Sequence, residues 1–194
     1  MLDNLKKYRI FLASNSPRRR EIMKLLRIPF TSVSIEGIDE TFPSGLPLEE
    51  IPLFIANKKC DAYLKRLKDN DLVITADTMV ICEDRILGKP HDISEAKEML
   101  RELSGRGHLV STGVVLATSN HRVSFVSLSE VLFAKLSDME INYYVDNFHP
   151  FDKAGAYGIQ EWIGAVAVAS IKGSFYNVMG LPIHQVFDEL KKFH

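Results

Sequence analysis

The chain has 194 residues, 46% of them apolar, with 24 lysines and arginines against 25 aspartates and glutamates for a formal net charge of −1. That length can bury one sizeable core or two lobes sharing a cleft, and the near-neutral balance supplies no global field to gather nucleic acid or anionic lipid. No apolar run approaches the roughly 20 residues of a membrane span, and the opening MLDNLKKYRIFLAS carries too much charge for a signal peptide. The cytoplasm is therefore the expected location, with Cys60 and Cys82 as buried thiols in a reducing compartment, and the six scattered histidines fit no zinc spacing.

Phe11-Leu12-Ala13 reads as the end of a buried strand. Ser16 then suits an N-cap and Pro17 the first helical position, and Ile22, Leu25 and Leu26 supply an apolar face. The positive end of that helix carries Arg18, Arg19 and Arg20, where a folding argument alone asks for Asp or Glu. A bound phosphate, held by backbone N–H groups and guanidinium forks, would resolve the conflict; the alternative is arginines solvated or paired with Glu21 and other carboxylates. On the phosphate reading, removing Arg19 should weaken phosphate binding and leave the stability of the ligand-free protein unchanged or slightly raised.

Phe30 to Ile35 reads as a second strand and Glu36 to Pro47 as an acidic loop, in which Glu36, Asp39 and Glu40 are either magnesium-type oxygen ligands or simply solvated. A helix follows from about Leu48 to Leu67, with Pro52 confined to its first turn. Lys58 and Lys59 sit within it and diverge by about a hundred degrees, so only one can face a given site.

Asp71 to Ala76 is a short, almost wholly apolar run suited to a strand buried on both faces, continued by MVICEDRILGKP through an Asp-Arg turn. Asp77 stands at the end of that buried run. A carboxylate there needs a partner, which makes it a metal ligand, a base or half of an ion pair. Thr78 is a hydroxyl donor or an ordinary strand former, and Lys89 in LGKP is an ammonium held by Gly88 and Pro90 or a common surface lysine.

Asp92 and Glu95 form a candidate capping box for a helix whose Ala96, Met99, Leu100 and Leu103 share one face, ending at Gly105. HLVSTGVVLATS and VSFVSLSEVLFAKL read as a hairpin turning at Asn120-His121-Arg122. Ser137 and Glu140 cap a helix that Pro150 stops. FDKAGAYGIQEW is a glycine-bearing loop whose Gln160 amide can present a donor and an acceptor to a base edge; because the amide can flip, it does not name the base. IGAVAVASI reads as a strand, KGS as a turn and LPIHQVFDELKKF as a closing amphipathic helix. The order of elements predicts an α/β protein with a mixed sheet. There is no P-loop, no GxGxxG after a strand and no GxSxG.

The ordered blocks LASNSPRRREI, ADTMVI, ILGKP, DKAGAYGIQEW and GSFYNVMGLP resemble the signature blocks of the Maf family of nucleoside triphosphate pyrophosphatases, over nearly the whole chain. The resemblance implies a single domain over 1–194 with a two-lobed, mixed-sheet fold of the inosine triphosphatase kind and a central cleft. It also implies cleavage of a nucleoside triphosphate to the monophosphate and pyrophosphate with Mg²⁺ or Mn²⁺. By the same resemblance Asp77, Lys59 and Lys89 are catalytic, Ser14, Arg18, Arg19, Thr78 and Gln160 bind substrate, and Asp77 with Glu40 (Asp39 being the near alternative) holds metal. Thr78, Gln160 and Arg18 match the branch acting on dTTP and UTP, with modified pyrimidine nucleotides left open as further substrates.

Asn15 and the pair Glu161-Trp162 depart from the family pattern at what is expected to be the rim. The expected partner is a nucleotide, with no nucleic acid and no membrane; a homodimer is left open. The rival reading is a non-catalytic nucleotide-binding regulator of septum formation. Asp77 argues against it, because a phosphate-binding module gains nothing from a carboxylate beside its anion.

Overall fold

The computed structural model describes residues 2–194. Among them the strands are β1 (Arg9–Ala13), β2 (Thr31–Val33), β3 (Asp71–Cys82), β4 (Arg85–Leu87), β5 (Gly107–Ala117), β6 (Arg122–Phe133) and β7 (Val168–Lys172). The α-helices are α1 (Pro17–Lys24), α2 (Ile51–Leu64), α3 (Ile93–Leu103), α4 (Asp138–Phe148), α5 (Trp162–Ala167), α6 (Phe175–Met179) and α7 (Ile183–Leu190). The seven strands form one mixed sheet in the order β2-β1-β3-β5-β6-β7, with β4 attached to β3. β1 pairs parallel with both β2 and β3, whereas β3–β4 and β6–β7 are antiparallel. The mixed α/β sheet predicted from the alternation of elements is the observed architecture.

The chain divides into two compact units. The first holds residues through Asp77, Thr112–Ser127 and Gly180–His194; the second holds Thr78–Ser111 and Leu128–Met179. In the first, Ala13, Ala56, Cys60, Val73, Val115 and Ala117 form a buried cluster that seats α2 on the strands. Thr75 Oγ1 donates to the Ala56 carbonyl at 2.8 Å, which satisfies a buried hydroxyl in the same place. Gly113 on β5 is where the backbones meet, since a methyl group there would lie 2.2 Å from Leu53 Cα. In the second unit α3 and α4 pack together, and Ala96, Met99, Leu100 and Leu103 are all buried as their spacing predicts.

Local chemistry accounts for most boundaries. Ser16 caps α1 with Pro17 in the first turn, Pro52 lies in the first turn of α2, and Ser137 with Glu140 makes a complete capping box on α4. Other expectations need correction. The β3–β4 turn is Glu83-Asp84, with Glu83 left-handed at φ 53°, and Arg85 already pairs with Cys82. Asp92 caps α3, but the Glu95 carboxylate reaches the His91 N–H at 2.6 Å, leaving the box half made. IGAVAVASI begins as the helix α5 and only then becomes β7. Its small apolar residues carry no decisive period; at the start of α5 the Gly164 N–H donates to the Glu161 carbonyl at 3.0 Å, where a methyl group on Gly164 would fall 1.8 Å from the Ile159 carbonyl oxygen. The short helix α6 had no sequence signal.

Candidate active site

In the first unit, Asp77 lies within β3 and not at its end, contrary to the sequence reading. It is nevertheless reachable because pairing between β1 and β3 runs only from Arg9↔Asp71 to Leu12↔Ile74, so Asp77 stands beyond the covered part of the strand. Lys59, near the middle of α2, reaches it with Nζ at 2.7 Å from Asp77 Oδ1 and 2.8 Å from Glu40 Oε1. Lys58 turns to Asp39 instead, at 3.1 Å, so the two lysines diverge as adjacent helical positions must. The Lys59 and Asp77 side chains are 16% and 14% exposed and Glu40 is 56% exposed, so the Lys59–Asp77 contact is the better shielded from water. Asp39 also takes two bonds from Thr41; these, with Lys58, hold its carboxyl down to about 2. That occupies Asp39 with its own loop, while Glu40 joins Asp77 on one ammonium.

Arg19 is placed less simply than its position at a helix N-terminus implies. Its Nε donates to the Gly180 carbonyl at 2.7 Å, and its Nη1 to the Ala76 carbonyl at 2.9 Å and to Ser14 Oγ at 3.5 Å. The guanidinium therefore ties the residue before Asp77 to Ser14 and to the turn ahead of α7. Burial holds it below its ordinary value, an effect opposed by the nearby Asp77 carboxylate. Arg18 is half-buried beside it, and Arg20 is bonded at the surface to the Asn15 carbonyl at 3.4 Å.

In the second unit, Thr78 is half-buried on β3, while Lys89 and Gln160 are exposed. The Lys89 turn and the glycine loop are joined, because the Gly155 N–H donates to the Gly88 carbonyl at 3.0 Å. Gly155 has φ 68° and packs against Val80, which admits the loop to the strand. The loop is anchored from below: Tyr157 OH meets His108 Nε2 at 2.8 Å, and the Gly158 N–H donates to Tyr144 OH at 3.0 Å. Tyr144 in turn donates to the Glu161 carboxylate, which Lys153 Nζ also holds at 3.0 Å. Burial, and then the bond to Glu161, push the Tyr144 phenol upward, so it stays a donor.

As a whole this network has no signal in the sequence: Glu161, expected at the rim, has a side chain that is 20% exposed and paired with a lysine that is 9% exposed. Lys153 and Glu161 were visible in one block, but nothing local pointed to Tyr144, which comes from α4.

The carboxylates of Asp77 and Glu40 are hard oxygen donors gathered on one cation, the donor chemistry that a divalent ion such as Mg²⁺ takes. No group of three or more His, Cys, Asp or Glu side chains that could hold a metal by itself occurs among the described residues. Among the described residues no helix is long and apolar enough to cross a membrane.

A protein from Phocaeicola vulgatus named dTTP/UTP pyrophosphatase is 51% identical over 99% of this chain and 100% of its own. One of the same name from Parabacteroides distasonis is 53% identical over 100% of both. Among solved structures, the Ham1 protein of Staphylococcus aureus superposes with a TM-score of 0.46 at 16% identity, over 65% of this chain and 72% of that one. The family model described as Maf-like protein matches residues 9–193, and with relatives at this level of identity the chain belongs to the Maf family.

Proposed function

We propose that the protein is a nucleoside triphosphate pyrophosphatase that hydrolyses dTTP and UTP to the monophosphate and pyrophosphate, with 1–194 acting as one functional domain. The observation that carries this reading is the Lys59 ammonium shared by Asp77 and Glu40 in a chain about half identical, end to end, to proteins named for that activity. A cation and two carboxylates held this way are poised to exchange partners when a metal triphosphate arrives.

In this reading Asp77 and Glu40 would hold Mg²⁺ or Mn²⁺. When bound, the ion neutralises phosphate oxygens and makes the α-phosphorus more electrophilic. Asp77 accepts the proton of the attacking water, whose oxygen bonds to the α-phosphorus as the bond to the bridging oxygen breaks. Lys59, released from its carboxylates, joins Lys89 and Arg18 in balancing charge that builds on the departing pyrophosphate. Ser14 and Arg19 complete the phosphate contacts, and Thr78 and Gln160 meet the base.

The test is turnover of dTTP, UTP, CTP, ATP and GTP with pyrophosphate detection, in the wild type and in Asp77→Asn. The expected result is preference for dTTP and UTP, and a loss of roughly two to four orders of magnitude in the variant with its circular dichroism intact. Tight nucleotide binding without pyrophosphate release would overturn the reading in favour of a binding regulator.

A further inference from the structure

An exposed amide on a loop is a poor reader of a base unless something fixes both the loop and the flip of the amide. Residues 158 and 161 are tied twice. The Glu161 N–H donates to the Gly158 carbonyl at 3.0 Å, and the Tyr144 hydroxyl joins the Gly158 N–H to the Glu161 carboxylate. Gln160 sits inside that closed ring. A methyl group on Gly158 would lie 2.8 Å from the Glu161 carboxyl carbon, 3.0 Å from its Oε2 and 2.9 Å from Gln160 Nε2. The amide nitrogen and the carboxylate thus fold back over the same glycine and share one small space.

Resting on the reading that Gln160 meets the base, we infer that Glu161 is a positioning residue that fixes the flip of the Gln160 amide and so makes the loop select uracil and thymine over cytosine. A carboxylate attracts the NH₂ end of a neighbouring amide and repels its oxygen, so Nε2 turns inward and Oε1 faces away. The charge is held in place because Lys153 and Tyr144 both grip the carboxylate in a largely buried setting. Uracil and thymine present an N3–H donor flanked by carbonyl acceptors, which an outward Oε1 accepts while the second amide hydrogen reaches a ring carbonyl. Cytosine presents an acceptor at N3 and a donor at N4. In the same pose it needs the amide reversed. A free amide would flip to suit either base; one oriented by Glu161 suits the imide bases and leaves cytosine mismatched.

The experiment compares kcat/KM for UTP and CTP in the wild type, Gln160→Ala, Glu161→Gln and Tyr144→Phe, with thermal unfolding of each. Glu161→Gln removes the charge and keeps the shape; Tyr144→Phe leaves the Lys153–Glu161 pair and frees the loop. The UTP-to-CTP ratio is expected to exceed roughly tenfold in the wild type and to fall by about that factor in Glu161→Gln and at least severalfold in Tyr144→Phe. A purely structural role would lower both rates together and leave the ratio alone. If Gln160→Ala collapses the ratio while either folded variant keeps it within about twofold, the positioning role is wrong. If Gln160→Ala itself leaves the ratio unchanged, the assignment of Gln160 to the base fails first, and this inference with it.

Discussion

Replacing Arg19 with Ala separates two views of the arginine run. As a cation at the positive end of α1, Arg19 should be mildly unfavourable in the ligand-free protein, and its removal would gain about 0.3–1 kcal/mol. The structure opposes this with bonds from Nε to the Gly180 carbonyl at 2.7 Å and from Nη1 to the Ala76 carbonyl at 2.9 Å. Each such charge-assisted bond contributes about 1.5–3 kcal/mol, and truncation leaves both carbonyls, on buried residues, without these donors. Part of that is returned because no guanidinium has to be desolvated any longer, leaving a net loss of about 3 kcal/mol. The larger effect decides the sign, reversing the expectation drawn from the sequence.

For a chain of 194 residues that loss lowers Tm by about 6–12 °C. Arg19→Lys should recover only part of it, because one ammonium cannot reproduce the two-pronged reach of the guanidinium. The assay is thermal unfolding by circular dichroism without nucleotide, with Arg20→Ala as a surface control expected within about 0.5 kcal/mol of wild type. An Arg19→Ala protein whose ligand-free Tm matched the wild type would refute the reasoning and restore the arginine to a phosphate contact alone.

Two further outcomes follow from burial. His108 is held neutral by burial at about 4 against an ordinary 6.5, so stability is complete above about 6.5 and is lost as pH falls toward 4. Between pH 7 and pH 5 the wild type should lose about 2 kcal/mol more than His108→Gln in urea titrations, and equal losses would remove His108 from the account. Gly113→Ala should cost about 3 kcal/mol or prevent folding, since its methyl meets the Leu53 backbone at 2.2 Å. Gly107→Ala, with nothing within 4 Å of the added methyl, should be near neutral in the same unfolding measurement.

What the sequence determined by itself is what depends on near neighbours in the chain. Ser16 with Pro17, Ser137 with Glu140, and the face Ala96-Met99-Leu100-Leu103 are settled within one or two helical turns, and each is found where the pattern puts it. Asp77 was legible as a carboxylate in need of a partner because it follows an almost wholly apolar run. Local pattern failed where a small apolar stretch has no period, as in IGAVAVASI, and where a two-residue turn depends on strand register, as at Glu83-Asp84.

Only the tertiary structure decided who the partners are. Lys59 finds Asp77 across 18 positions, Arg19 finds the Gly180 carbonyl across 161, and Tyr144 on α4 reaches Glu161 across 17. These bonds join atoms whose separation is set by packing of whole elements, and the energy of a buried charge depends on that packing: the same arginine is a poor helix starter in the sequence and a clamp on two main-chain carbonyls in the fold.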